Sequence, residues 1–103
     1  MRVLAAAVIA VSLTVSAAAG AGASHTITIE NMQFNPPQLT VHRGDSIVWV
    51  NNDLVPHTAT ADKVFDSGSI AVNASWSYVA TKSGQYPYHC TFHPTMKGKI
   101  TVQ

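Results

Sequence analysis

The chain has 103 residues, with six Lys plus Arg against five Asp plus Glu and a formal net charge of +1. That allows one small domain and argues against a polyanion binder or an acidic tail. No basic stripe is available for phosphate backbones, so nucleic-acid binding has little support.

The opening residues, MRVLAAAVIAVSLTVSAAAGAGAS, hold one Arg, an apolar run from Val3 to Val15 and then small residues containing Ala-Gly-Ala. This is the grammar of a secretory signal. Residues 1–23 are therefore set apart as a signal peptide and residues 24–103 as one domain, with a cut after Ala23 preferred to one after Ala19. The alternative is a retained membrane anchor, but the stretch is Ala-rich, somewhat short to span and followed by small residues. Removing Arg2 leaves five basic against five acidic side chains, so an exported protein with a nearly neutral surface is expected, without stable membrane insertion.

From Ser24 onward the pattern changes to short segments rich in Thr, Val, Ile and Tyr, broken by Gly, Pro, Asn and Asp. HTITIE (25–30) alternates as a strand does, and NPPQ interrupts it. LTVHRGD reads as a strand ending in a Gly44-Asp45 turn, and SIVWVNND as a largely apolar strand with a polar stop. HTATA follows Pro56, FDSGSI is a turn-rich connection, SWSYVAT alternates again, and QYPYHC and KGKITVQ complete the set. Seven or eight short strands of this kind predict an all-β protein, an antiparallel sandwich or barrel. A period of two puts Tyr86, Tyr88 and Cys90 on one face of QYPYHC, with Cys90 pointing inward, and gives Ile100 and Val102 a shared buried face.

Cys90 is the only cysteine, and one cysteine cannot close an internal disulfide. A domain this small has a marginal core of its own, which leaves a metal as the remaining common staple. Cys90, His93 and Met96 are spaced C-x2-H-x2-M in the loop joining the last two strands, so each donor lies one tight turn from the next. His57 is the best-placed distant imidazole, because Pro56 fixes the entry to its segment. Two imidazoles, one thiolate and a thioether define a type 1, or blue, copper arrangement: a trigonal His2Cys set with a weak axial Met. Such a site suits one-electron transfer, since a stiff site intermediate between Cu(I) and Cu(II) preferences changes little on redox cycling. With all four positions filled by protein, no open coordination place remains for a substrate, so no enzymatic activity is expected.

Taken singly, Met96 reads as a core gap-filler, Cys90 as a small buried hydrophobe and either histidine as an ordinary surface or hydrogen-bonded one. Jointly, they supply every ligand of one recognised coordination type. His25, His42 and His89 are left outside the set.

At this point the sequence resembles the cupredoxins, the plastocyanin, pseudoazurin and amicyanin family of small blue copper proteins. NMQFNPPQLTVHRGDSIVWVNNDLVPHTAT is similar to the family's first half, FDSG to its middle, and GQYPYHCTFHPTMKGKITV to its ligand loop and final strand, where the short loop is most like that of amicyanins. The resemblance implies a Greek-key β-sandwich, one copper ion held by His57, Cys90, His93 and Met96, and a periplasmic monomer. It also implies redox partner proteins: a donor dehydrogenase and an acceptor cytochrome or oxidase. Two positions depart from the pattern. Thr58 stands where many members carry an Asn that ties the two ligand segments together, and Phe92 where amicyanin-like loops often have Pro. Phe92, Pro94, Pro56 and Val55 are expected to form an apolar collar around the edge of His93. The competing readings are a carrier or store that hands over the copper ion itself, an accessory copper domain of a larger oxidase or reductase, and a structural zinc protein.

Overall fold

Alternating β-branched and polar side chains do form strands here, and two stacked sheets bury one face of each. In the computed structural model, which describes residues 5–12 and 22–103, nine strands run in chain order. They are β1 (Ser24–Glu30), β2 (Gln33–Asn35), β3 (Gln38–Val41), β4 (Ser46–Asn51), β5 (Thr60–Ala61), β6 (Phe65–Asp66), β7 (Ser75–Val79), β8 (Gly84–His89) and β9 (Lys97–Val102). One sheet has the order β2-β1-β4-β7 and the other β3-β9-β8-β5-β6.

Two features correct the sequence-based expectation of seven or eight antiparallel strands. Strand β1 runs parallel to β4, with Ser24 opposite Ser46 and Ile27 opposite Trp49, and β3 runs parallel to β9. Alternation of apolar and polar residues specifies faces but not strand direction, so it could not distinguish these pairs. The count is higher because QFN, ahead of the two prolines, pairs with β1 as a three-residue strand, and FD closes a two-residue hairpin on β5. The strand expected at HTATA narrows to Thr60–Ala61; His57 makes only an isolated bridge to Ile70.

The signal-peptide expectation rests largely on residues 1–4 and 13–21, which lie outside the described residues. Residues 5–12 are in neither helix nor strand, and among the described residues no helix is long and apolar enough to cross a membrane. Pairing begins before Ser24: the Ser46 N–H donates to the Ala23 carbonyl at 2.9 Å and the Gly22 N–H to the Gly44 carbonyl at 3.2 Å.

The core lies between the sheets, where Ile27, Ile29, Phe34, Val41, Ile47, Trp49, Tyr88 and Ile100 are buried. Trp49 stands edge-on to Tyr88 with ring centroids 5.5 Å apart and also packs on Phe65 and Trp76. Burial pushes the Tyr88 hydroxyl up to about 12, an effect that nearby Trp49 partly offsets, although neither Trp49 Nε1 nor Tyr88 Oη completes a hydrogen bond. Gly98 lies opposite Tyr88 across β8 and β9, where a Cβ would collide with the phenol ring. The close approach seats Tyr88 two residues before Cys90. Pro87, which lacks an N–H, is accommodated in β8 because β5 pairs with that strand only at Thr60 and His89.

Candidate metal centre

The donor-rich loop begins where β8 stops. Alternation buries Tyr88, turns His89 partly outward and buries Cys90 completely, as its place in the strand period requires. The loop then closes on itself: the Cys90 N–H donates to the Met96 carbonyl at 3.1 Å and the Met96 N–H to the His93 carbonyl at 2.9 Å. These two bonds set the start and end of the C-x2-H-x2-M segment side by side. Met96 is left 4% exposed, and His93 is half-buried.

His57 arrives from the other side, in the segment after β4. Its backbone exchanges bonds with Ile70, donating at 3.2 Å and accepting at 2.7 Å, and its side chain is fully buried. The Nδ1 atom stands 3.7 Å from Cys90 Sγ, and the ring centroid lies 5.3 Å from that of His93. Among the described residues no three His, Cys, Asp or Glu side chains are already drawn into one tight cluster. His57 and Cys90 stand at ligand spacing, with the His93 ring beside them. Sulfur and nitrogen sharing a first-row metal, at ~2.3 and ~2.0 Å and a trigonal angle, are themselves ~3.7 Å apart. The chemistry of the set, thiolate, imidazoles and thioether, fits copper better than the harder preferences of zinc.

Two residues that hold this arrangement were not singled out from sequence. Asp53, four residues before His57, accepts from His57 Nε2 at 2.7 Å and from the Met32 N–H at 3.0 Å through Oδ2, and from the Leu54 N–H at 3.0 Å through Oδ1. A carboxylate only accepts, so Nε2 carries the imidazole proton and Nδ1 presents its lone pair toward Cys90. The His57 hydrogen bond is the main cause that holds the Asp53 carboxyl below the ordinary carboxylate range, against a smaller opposing effect of burial. Asn51, fully buried, donates through Nδ2 to the Val55 and Ile70 carbonyls and accepts the Asp53 N–H, so it shapes the whole segment from β4 to His57. The only sequence signal was a polar stop, NND, after an apolar strand.

Thr58, the departure noted after His57, keeps the tie between segments by other means. Its N–H donates to Cys90 Sγ at 3.3 Å, and its Oγ1 accepts the Thr91 N–H at 2.8 Å. In the two segments that carry His57 and His93, the apolar side chains Val55, Phe92, Pro56 and Pro94 are exposed, and so is Leu54, at 90%. Of the histidines left out, His25 bonds Asp45 at 2.9 Å beside the start of β4, His42 is exposed, and His89 lies in β8 opposite Thr60.

The Cupredoxin-like domain model matches residues 3–102. Amicyanin of Paracoccus denitrificans is 30% identical over 75% of this chain and 63% of its own length. Plastocyanin of a Synechococcus species is 36% identical over 67% of this chain and 62% of its own. The chain thus spans a little under two thirds of these relatives. Among solved structures, a reduced amicyanin mutant superposes with a TM-score of 0.74 at 30% identity, covering 78% of this chain and 82% of that one. A purple cupredoxin of Nitrosopumilus maritimus superposes with a TM-score of 0.72 at 28% identity, covering 77% of this chain and 99% of that one.

Proposed function

The chain belongs to the cupredoxin-like family, and we propose that it is a type 1 copper protein that carries one electron at a time between exported redox partners. The observation that carries this reading is the 3.7 Å approach of His57 Nδ1 to Cys90 Sγ, in a buried setting where Asp53 fixes the imidazole proton on the far nitrogen. His57, Cys90 and His93 would hold the ion through two imidazoles and a thiolate, with the Met96 thioether as a weaker fourth donor. When bound, the copper ion supplies a Cu(I)/Cu(II) couple.

The protein's part is to resist movement. Cys90 is held by the Thr58 N–H on its sulfur and by its own N–H on the Met96 carbonyl, so neither can drift without breaking a buried bond. Hydrogen bonding to the sulfur and burial of the thioether are the levers that set the potential. The half-buried His93 is the proposed exit for the electron, with exposed Phe92, Pro94, Pro56 and Val55 as its proposed apolar collar and a donor dehydrogenase and an acceptor cytochrome or oxidase as the expected partners. With all four ligand places assigned to side chains, the proposed site keeps no open place for a substrate, which supports a carrier and not an enzyme.

We further propose export, to the periplasm in a bacterial cell, as a monomer after loss of the N-terminal segment. The bonds made by Gly22 and Ala23 favour a cut upstream of them, after Ala19, over the cut after Ala23. The function is tested by voltammetry of the copper-loaded protein with a chelator challenge. A reversible one-electron wave, with copper retained against a modest chelator, is the expected result. Rapid surrender of the ion would replace electron carriage by copper delivery.

A further inference from the structure

The turn between β1 and β2 carries a side chain that its backbone disfavours. Asn31 and Met32 join the strands between paired Glu30 and Gln33, and both have positive φ, 53° and 59°. Asn and Gly suit such positions, whereas a methionine is held there at a conformational cost. The Met32 N–H donates to Asp53 Oδ2 at 3.0 Å, the same oxygen that accepts from His57 Nε2. Glycine would make this turn at less cost and offer the same N–H. The reason for a methionine therefore lies in its side chain.

That side chain is 42% exposed and lines a cavity of about 290 Å³, which it shares with Met96 and Lys97 at the end of the donor-rich loop. Met96 is only 4% exposed, so one thioether residue stands at the surface and the other in the interior. Among the described residues no carboxylate, imidazole or thiol lines this cavity, and Lys97 is its only charged group. Thioethers are soft, weak donors that suit Cu(I) and leave harder ions to nitrogen and oxygen. Lys97 opposes a dication about twice as strongly as a monocation, since the repulsion scales with charge. The cavity thus favours a soft monovalent ion over a hard divalent one. The exposed side chains of Leu54, Val55 and Phe92 offer no donor atom to either.

We propose that Met32 and Met96 form the entry through which Cu(I) reaches the metal centre, Met32 as the outer donor and Met96 as the inner one. The proposal rests on the copper reading of the site and adds the route and the valence by which that site fills. Met32 takes the ion from its carrier, Met96 takes it next, and Cys90 binds last, releasing its thiol proton to water. No electron changes hands. His57 is ready to receive the ion, because Asp53 already holds the imidazole proton on Nε2.

Stopped-flow mixing of the metal-free protein with Cu(I) in acetonitrile, followed by the ultraviolet absorption gained as Cys90 binds, measures the route. Met32→Leu keeps the apolar bulk and the N–H but removes the sulfur, and should slow Cu(I) uptake by roughly three- to tenfold, as loss of one weak donor would. Uptake of aqueous Cu(II), followed by its visible charge-transfer band, should keep the parent rate in the same variant. Cu(I) uptake unchanged in Met32→Leu would overturn the entry. So would equal slowing with both ions, which would make Met32 a structural residue. A second measurement traps the ion on its way: Ag(I), a soft and redox-inert monocation, is added to metal-free Cys90→Ser carrying isotope-labelled methionine methyl groups. The Met32 and Met96 methyl resonances should move together and saturate at one ion per chain. Movement of Met32 alone would mark an ordinary surface methionine and overturn the proposal. Both methyls moving in a protein whose parent gives no visible band with Cu(II) would uphold the soft-ion cavity and overturn the copper carrier. A visible band in the parent with neither methyl moving would overturn the entry and leave the copper carrier standing.

Discussion

Asp53 orients His57 without standing next to any other proposed ligand, and its 2.7 Å bond to Nε2 is among the shortest side-chain contacts at this pole. Bonds to an ionised acceptor are worth about 1.5–3 kcal/mol when buried, and this side chain is largely shielded from solvent. The negative charge also favours Cu(II) over Cu(I) at a site on the far side of the ring. Asp53→Asn is therefore expected to raise the reduction potential and to weaken copper binding by about 10- to 100-fold, the usual penalty for losing a partner behind a metal-bound imidazole. Competition titration and voltammetry on the variant measure both; an unchanged affinity and potential would show that His57 orients itself. Cys90, His93 and Met96 stood out in the sequence as a candidate donor set because soft side chains of three kinds sit there at fixed short spacing around the one cysteine, whereas His57, 33 positions away, was chosen for the proline before it. The roles of Asp53, Asn51 and the Thr58 hydrogen bonds could not be read from it, because Asp, Asn and Thr are common loop residues. The contact from Thr58 to Thr91 spans 33 positions and exists only once β5 has paired with β8.

Strand β4 connects the two poles of the molecule, with Asp45 before its start and Asn51 at its end. Asp45 gathers three elements: its carboxylate accepts the His42 N–H, the Ala23 N–H and the His25 ring N–H, each at 2.9 Å. The His42 backbone bond first, and the His25 side chain next, hold this carboxyl below the ordinary range. A carboxyl whose folded pKa is depressed contributes stability that is fully present above its unfolded pKa, about 3.9, and lost as pH falls below that toward the folded value. Melting temperatures of the parent and of Asp45→Asn should therefore differ at pH 6 and converge as pH falls below about 4. A gap that persists to low pH would assign the effect to shape and not to ionisation. Alternation in HTITIE and the apolar run with a polar stop in SIVWVNND were enough to locate β1 and β4. That they run parallel was not legible, because no hairpin links them and a face pattern reads the same in both directions.

Across the whole molecule, the proposed function is concentrated at one end. The six residues of β4 separate Asp45 from the metal pole by roughly 20 Å, so the start of β1 and the proposed site are structurally independent. Exposed Leu54, Val55 and Phe92 cluster by sequence around the two ligand segments, while the charged residues are few and nearly balanced. A nearly neutral carrier with an apolar end docks by shape more than by long-range steering. What sequence alone conveyed at this scale was the all-β, one-copper plan, because the lone cysteine and the small core left few other ways to stabilise the chain. The central claim is that Cys90 and His57 bind one copper ion together. Its most direct test is the visible absorption of the purified protein titrated with Cu(II), alongside Cys90→Ser. One equivalent of copper should produce an intense sulfur-to-copper charge-transfer band that saturates at one ion per chain and is absent from Cys90→Ser. Binding without that band, or a band that survives the loss of the thiolate, would contradict the account.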